Sequence, residues 1–379
     1  IGGTMMSIYC DARKFAEKFI DPCSKKVDDE GVFPVEAFAE IKKSDFLTLL
    51  IPKEQGGSGF GIEEHVEVCR AFAKSDATTG LCYMMHNVAL TVVLARGSEE
   101  MKKRIIKEVV EDRKMLALAY SELGTGTHFY ISDLEAENAG EKKLLTGVKS
   151  MVTSAGQASY YLVLAPSDKE GAIDNWLVPL ETPGLRFEQN TWHGMGMRGN
   201  VSCQMHLTKA EISKNNRIGE EGAGQEHVFN VVAPYFIAGL AGVYTGLSEH
   251  MLEESIAHAE QRKYTSGTSL SEIETVQIHL AKMYNLVNAS ICTTKEATRA
   301  AAQGDADALA KILSARVIAS ENVIEAGRLG MRVGGGKAYN KVGPMERLLR
   351  DSYAGQIMAP SVDVLTVWLG KAITGQPLV

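Results

Sequence analysis

Apolar residues recur at three-to-four spacing through most of the first ~115 residues, the pattern of helices that bury one face. The repeat predicts helices over Ile8 to Phe19, Pro34 to Ser44, Ile62 to Lys74 and Glu99 to Val110, with another beginning at Met84-Met85-His86-Asn87-Val88. Turn chemistry in Pro52-Lys53-Glu54-Gln55-Gly56-Gly57-Ser58-Gly59 interrupts them. From about Met115 short β-rich runs take over: Leu116 to Tyr120, Lys143 to Val148, Tyr160 to Ala165, Asn175 to Pro179 and Gln204 to Leu207. Gly140, Gly147, Gly156, Gly171 and Pro183-Gly184 separate them, which predicts an antiparallel β domain. The helical period returns from about Glu226. Val228 to Lys263 is one long apolar segment in which Gly239, Gly242 and Gly246 permit a second helix to approach closely. Further helices are expected over Ser271 to Ala301, from Gly304-Asp305 to about Leu329, and after Pro360. The expected fold is α+β, mainly α, with a helical domain over 1–115, a β domain over 116–225 and a four-helix bundle over 226–379.

Composition narrows the class. A chain of 379 residues that is 45% hydrophobic and 23% charged has the make-up of a soluble globular protein with a substantial core. Its net charge of −7 gives no electrostatic reason to expect nucleic-acid binding, and a polyanionic ligand would need a local basic patch. The six cysteines form no C-x-x-C pair, so neither a zinc ribbon nor a metal site is expected. With no secretory signal they read as reduced thiols of a cytoplasmic protein. Ile1-Gly2-Gly3-Thr4 before Met5 is set apart from the folded unit. No apolar run approaches the ~20 residues of a membrane span, so none is expected.

Several segments carry chemistry. In Ser121-Glu122-Leu123-Gly124-Thr125-Gly126-Thr127-His128 the glycines let backbone amides approach a ligand, and Ser121 and Thr127 offer hydroxyls. The plain alternative is a tight turn between strands. Thr146-Gly147-Val148-Lys149-Ser150-Met151-Val152-Thr153 is a strand with a polarizable Met151 and a hydroxyl at Thr153. Gln261-Arg262-Lys263-Tyr264 closes the first bundle helix with cations. A guanidinium fork suits phosphate oxygens, and a helix C-terminus gathers cations for dipole reasons in any case. Arg332-Val333-Gly334-Gly335-Gly336-Lys337-Ala338-Tyr339 again allows close backbone approach. Pro344-Met345-Glu346-Arg347-Leu348-Leu349-Arg350-Asp351 and Arg350-Asp351-Ser352-Tyr353-Ala354-Gly355-Gln356-Ile357-Met358-Ala359-Pro360-Ser361 follow.

In this order the segments resemble the acyl-CoA dehydrogenase family almost end to end. The resemblance implies FAD held between the β domain and the bundle, an acyl thioester of CoA or of a carrier protein as substrate, and an electron-transfer flavoprotein as partner. It also implies a homotetramer built as a dimer of dimers, with FAD sites completed across subunits. Carried over position by position, it assigns flavin contacts to Tyr120, Ser121, Thr127, Met151 and Thr153. Met151 stands for the family's Trp over the ring, and Thr153 for the Thr at N5. Arg262, Tyr264, Glu274, Arg332, Gly335 and Gly336 fall on the pyrophosphate and adenosine side, and Ser361 and Asp363 on the cofactor as well. Arg198, in Trp192-His193-Gly194-Met195-Gly196-Met197-Arg198-Gly199, matches a family loop and is expected to be structural.

The chain departs from the family at the catalytic base. Where the family reads Tyr-Glu-Gly-Thr, this sequence reads Met358, Ala359, Pro360 and Ser361. The second known base position lies on the first bundle helix, and ungapped counting puts Phe236 and Ile237 there in place of Glu and Arg. An alanine accepts no proton, although the Ala359 N–H remains to polarise a thioester oxygen. His86 titrates near neutrality and is one candidate acid/base; the competing role is a satisfied helix histidine. Tyr235 and Tyr244 are better acids than bases. Other readings of the same fold remain open: a flavin monooxygenase, a desulfinase or enoyl reductase, and a non-catalytic acyl-CoA binding module.

Overall fold

Capping side chains set several helix starts in the computed structural model, which describes residues 7–379 and so leaves residues 1–4 and Met5 outside the described residues. Ser7, Asp76 and Ser98 each accept a hydrogen bond from a backbone N–H three residues on, satisfying a donor that the helix cannot. The first third holds α1 (Ile8–Phe19), α2 (Asp21–Glu30), α3 (Val35–Lys43), α4 (Ile62–Ser75), α5 (Ala77–Arg96) and α6 (Glu99–Val110). Periodicity misses α2, whose DPCSKKVDDE sequence is polar enough to read as loop, and misses the first turns of α5.

Eight strands follow: β1 (Leu116–Ala119), β2 (Glu135–Ala139), β3 (Lys142–Val152), β4 (Tyr160–Pro166), β5 (Ile173–Pro179), β6 (Leu185–Glu188), β7 (Cys203–Ser213) and β8 (Arg217–Ile218). They form two four-stranded sheets, ordered β1-β4-β5-β8 and β2-β3-β7-β6. The expectation of a purely antiparallel domain needs correcting, because β1 pairs with β4 in parallel. Between them the chain crosses to the other sheet and returns, the long connection that a parallel pair requires.

The last third is α7 (Gly224–His227), α8 (Ala233–Gln261), α9 (Glu274–Gln303), α10 (Ala308–Tyr339), α11 (Met345–Ser352), α12 (Ala354–Ile357) and α13 (Val362–Ile373). Residues 228–232 between α7 and α8 form a π-helical stretch. At Gly334-Gly335-Gly336 the helical geometry of α10 is broken: Gly335 is non-helical, with φ 53° and ψ −135°, so two helical stretches meet there. The α8 glycines lie against α4 and α5. A Cβ on Gly242 would stand 2.7 Å from Val66 O and one on Gly239 2.7 Å from Met84 Cγ, while Gly246 abuts Arg70 O. Arg70 then pairs with Glu249 at 2.8 Å to lock α4 onto α8.

Two helical runs, Ala77–Arg96 and Gly224–Gln261, are long and apolar enough to cross a membrane by length and composition, contrary to the expectation from uninterrupted runs. Most of each apolar window, 89% and 72%, is buried inside the protein, so the core accounts for that apolarity. All six cysteines are unpaired.

Burial holds His65, His86 and His250 neutral by pushing their pKa values down to about 4. The unfolded chain, with histidines near ~6.5, therefore binds more protons between about pH 6.5 and 4, and stability falls with pH across that window. Each histidine removes about 2 kcal/mol between about pH 7 and 5. Desolvated Asp351, raised to about 7, acts in the opposite sense and offsets roughly one of the three. We expect the urea midpoint to drop steadily from about pH 7 to 5. A flat profile would show that these rings are solvated in solution.

Candidate active site

Leu118, Tyr120, Ser121, Phe129, Met151, Thr153, Met85, Val232, Phe236 and Ala359 line one cleft between the sheets and the bundle. Strand alternation puts Leu118 and Tyr120 on one side of β1 and its extension. At the end of β3 a register irregularity between Lys149 and Val152, with Met151 at φ 50°, breaks the alternation. Met151 is thereby left 63% exposed over the cleft, with Thr153 buried behind it. Val232 and Phe236 are one helical turn apart on the π-helical stretch and α8. Ala359 arrives from the other end of the bundle. The Met358 N–H makes the last bond of α12, to Ala354 O at 3.0 Å, so the Ala359 N–H lies one residue beyond it.

The wall beneath is held by a buried ion pair between Lys149 and Glu122. Glu122 also accepts from Ser132 Oγ (2.7 Å) and the Asp133 N–H (2.8 Å), and Lys149 reaches Tyr120 O at 3.4 Å. Ser150 N–H donates to Ser121 O at 2.8 Å. These bonds clamp the 121–133 loop to β3, and so fix Ser121 relative to Met151 and Thr153. Desolvation pulls Lys149 down to about 8, with Glu122 opposing the shift. Tyr120 donates no free proton readily: burial pushes its phenol up, and its oxygen accepts from Asn175 Nδ2 at 2.8 Å. The Thr153 hydroxyl meets Ser202 Oγ at 3.3 Å.

Among the described residues, the cleft lining contains no Asp, Glu, His, Lys, Arg or Cys. Phe236 and Ala359 both line it, so the two positions read as vacated base sites do converge on one space. His86 does not reach it. That ring is 1% exposed, with Nε2 donating to Leu47 O at 2.8 Å and Nδ1 accepting the Leu116 N–H at 3.1 Å. One nitrogen ties α5 to the turn at Leu47 and the other ties it to β1, which leaves none to move a substrate proton; the satisfied-histidine role is the one the geometry supports. Tyr244 is equally enclosed, its hydroxyl 3.9 Å from Met358 Sδ.

The other assigned residues lie elsewhere. Thr127 is half-buried in the turn beyond Ser121, outside the cleft lining. Arg262, Tyr264, Glu274, Arg332, Gly335, Gly336 and Asp363 are exposed around helix termini of the bundle, and none touches the cleft within this chain. Ser361 caps α13, accepting the Val364 N–H at 3.4 Å. A Cβ at Gly335 or Gly336 would meet nothing within 4 Å, which leaves that backbone open to a ligand. Arg198 belongs to a different cavity, with Glu30, Trp192 and His193. Its loop is docked by the Met197 N–H donating to Asp351 Oδ1 at 2.6 Å, so two of the sequence segments touch. Met85, Leu118, Phe129 and Val232 are lining residues that motif reading passes over. Leu118 two before Tyr120 and Val232 four before Phe236 carried the signal as plain periodicity.

A helical domain, two four-stranded sheets and a helical bundle meet at this cleft. Family models described as acyl-CoA dehydrogenase N-terminal, middle and C-terminal domains match residues 7–113, 117–210 and 238–373. Cyclohex-1-ene-1-carbonyl-CoA dehydrogenase of Geobacter metallireducens is 26% identical, over 95% of either chain. Butyryl-CoA dehydrogenase from Megasphaera elsdenii superposes with a TM-score of 0.91 at 21% identity, covering 99% of this chain and 100% of that one. An FAD complex of PigA does so at 0.89 and 20%, covering 99% of each. The chain belongs to the acyl-CoA dehydrogenase family. It is an oxidoreductase whose cofactor is FAD.

Removing one member of the Lys149–Glu122 pair leaves a buried charge alone. We expect Glu122→Gln or Lys149→Met to cost about 3–5 kcal/mol, and the double substitution to recover part of that loss. Chemical denaturation of the three variants checks this; single losses below about 1 kcal/mol would mean that the pair is hydrated in solution.

Proposed function

We propose that the protein carries out oxidoreduction on an acyl thioester of CoA or of a carrier protein without a protein carboxylate as base. The observation that carries the reading is the convergence of Ser121, Met151, Thr153, Phe236 and Ala359 on one cleft whose lining holds no carboxylate. The residues fit the flavin ring: an apolar Met151 surface at the cleft edge, hydroxyls at Ser121 and Thr153, and an enclosed apolar back wall. Tyr120, Ser121, Thr127, Met151 and Thr153 are assigned to that end. Arg262, Tyr264, Glu274, Arg332, Gly335, Gly336, Ser361 and Asp363 are assigned to the pyrophosphate and adenosine, where exposed cations and open glycine backbone suit phosphate oxygens. Because those groups stand away from the cleft of their own chain, completion of each site by a neighbouring subunit in a homotetramer is part of the proposal. Bound FAD supplies a two-electron hydride acceptor or donor.

The protein's own contribution is positional. Ala359 N–H donates to the thioester oxygen and favours negative charge there, a preorganised dipole of the kind that lowers barriers to enolate formation. Phe236, Phe129, Val232 and Met85 exclude water around the acyl group. With no residue to take the α-proton, the substrate must bring an already acidified or unsaturated acyl group, or the proton must go to solvent. An electron-transfer flavoprotein is the proposed redox partner and the cytoplasm the proposed location.

Denatured holoprotein should release FAD, and FMN in its place would overturn the cofactor assignment at these residues. We expect butyryl-CoA and octanoyl-CoA to reduce the bound flavin at least ~10²-fold more slowly than a base-bearing site would allow. Rapid bleaching by either would show an acid/base that the cleft does not display. Ala359→Glu with Pro360→Gly should gain solvent-deuterium exchange at the α-carbon of bound butyryl-CoA, more than Ala359→Glu alone. No gain in the double variant would remove residue 359 from the substrate.

A further inference from the structure

The core of the bundle holds a cation for which the reaction described so far has no use. Arg316 of α10 is 0% exposed. Its Nη1 donates to Gly355 O at 2.8 Å and to Ser320 Oγ, while Nε and Nη2 have no partner among the described residues. No carboxylate pairs with it; the guanidinium lies 4.9 Å from the centre of the Tyr244 ring. Desolvation accordingly pulls its pKa below the ordinary guanidinium value. A buried charge without a counter-charge is destabilising, and replacement by an apolar side chain of similar volume is normally neutral or stabilising.

What the guanidinium touches indicates its use. Gly355 O belongs to α12, the short helix that delivers Met358 and Ala359 to the cleft. Gly355 faces Ser320, where a Cβ would rest in ordinary contact at 3.4 Å. Tyr244 connects to the same segment through Met358 Sδ and lies two turns along α8 from Phe236, on the same face. A carbonyl bonded to a cation is held more firmly than one bonded to a neutral donor. The charge bonds the carbonyl four residues before the one backbone donor proposed to meet the substrate oxygen, in a low-dielectric setting where its field is weakly screened. Building on the thioester reading above, we propose that Arg316 is a positioning residue: it fixes the 355–358 turn so that the Ala359 N–H faces the thioester oxygen, and its unneutralised charge favours the anion forming there.

Acetoacetyl-CoA, whose α-proton ionises in an accessible pH range, reads this directly in the FAD-loaded protein. Its enolate is followed by absorbance as pH is varied, alongside FAD content and melting temperature. In wild type the ionisation midpoint should lie below that of free acetoacetyl-CoA. Arg316→Met should weaken the ionisation about tenfold while melting at the same or a higher temperature, and Arg316→Lys should fall between. An FAD-loaded Arg316→Met with the wild-type midpoint returns the residue to packing and overturns the proposal. If Arg316→Met fails to fold, Arg316→Lys decides alone: a raised midpoint supports the proposal and an unchanged one overturns it. Wild-type holoprotein that does not bind acetoacetyl-CoA overturns the thioester reading, and this proposal with it.

Discussion

Close backbone approach along α8 is the constraint on which the rest of the molecule depends. Gly239, Gly242 and Gly246 let that helix lie directly on α4 and α5, with no side chain between the backbones at Val66 and Arg70. Glycine in a helix interior costs about 1 kcal/mol each against alanine, so three of them in two turns need a packing return. The return is placement. Only with α8 drawn in does Phe236 meet Met85 from α5 and Leu118 from β1 across the same cleft, joining the helical third, the sheets and the bundle. His86, bonded to Leu47 O and to the Leu116 N–H, reinforces that joint from the α5 side.

The cleft is apolar on its surface and charged one layer down. Lys149 and Glu122 compensate each other under the β wall, whereas Arg316 stands uncompensated under the bundle wall. A site that had simply lost its glutamate would leave a void or a random polar group at the vacated positions. Here a phenylalanine fills one, and an alanine lines the cleft at the other. Neither residue carries a charge, and the buried Arg316 bonds Gly355 O, four residues before Ala359.

The order of helical, strand and helical thirds is legible from periodicity alone, because amphipathic spacing and glycine-bounded β runs report burial directly. The parallel β1–β4 pair is not legible, since pairing between strands ~40 residues apart leaves no local signal. Polar α2 is hidden for a related reason: its stability comes from docking, as in the Arg350 to Asp28 ion pair, and not from an apolar stripe of its own. At the site, motif order picks out Ser121, Met151, Thr153 and Ala359, which line one cleft, and the run Gly334-Gly335-Gly336 coincides with the break in helical geometry at Gly335.

His86 and Arg316 show why titratable residues mislead in opposite ways. His86 sits in the segment flanking the cleft and has the right chemistry on paper, but two backbone partners consume both nitrogens and burial holds it neutral. Arg316 lies in an unremarked stretch of α10, matches no motif, and shows its interest only when its partners are counted in three dimensions. Sequence distance to a motif measures neither. What separates the two is satisfaction: a buried polar group with every donor and acceptor engaged is architecture, and one left with idle donors beside a reactive cleft has a free energy that the fold alone does not explain.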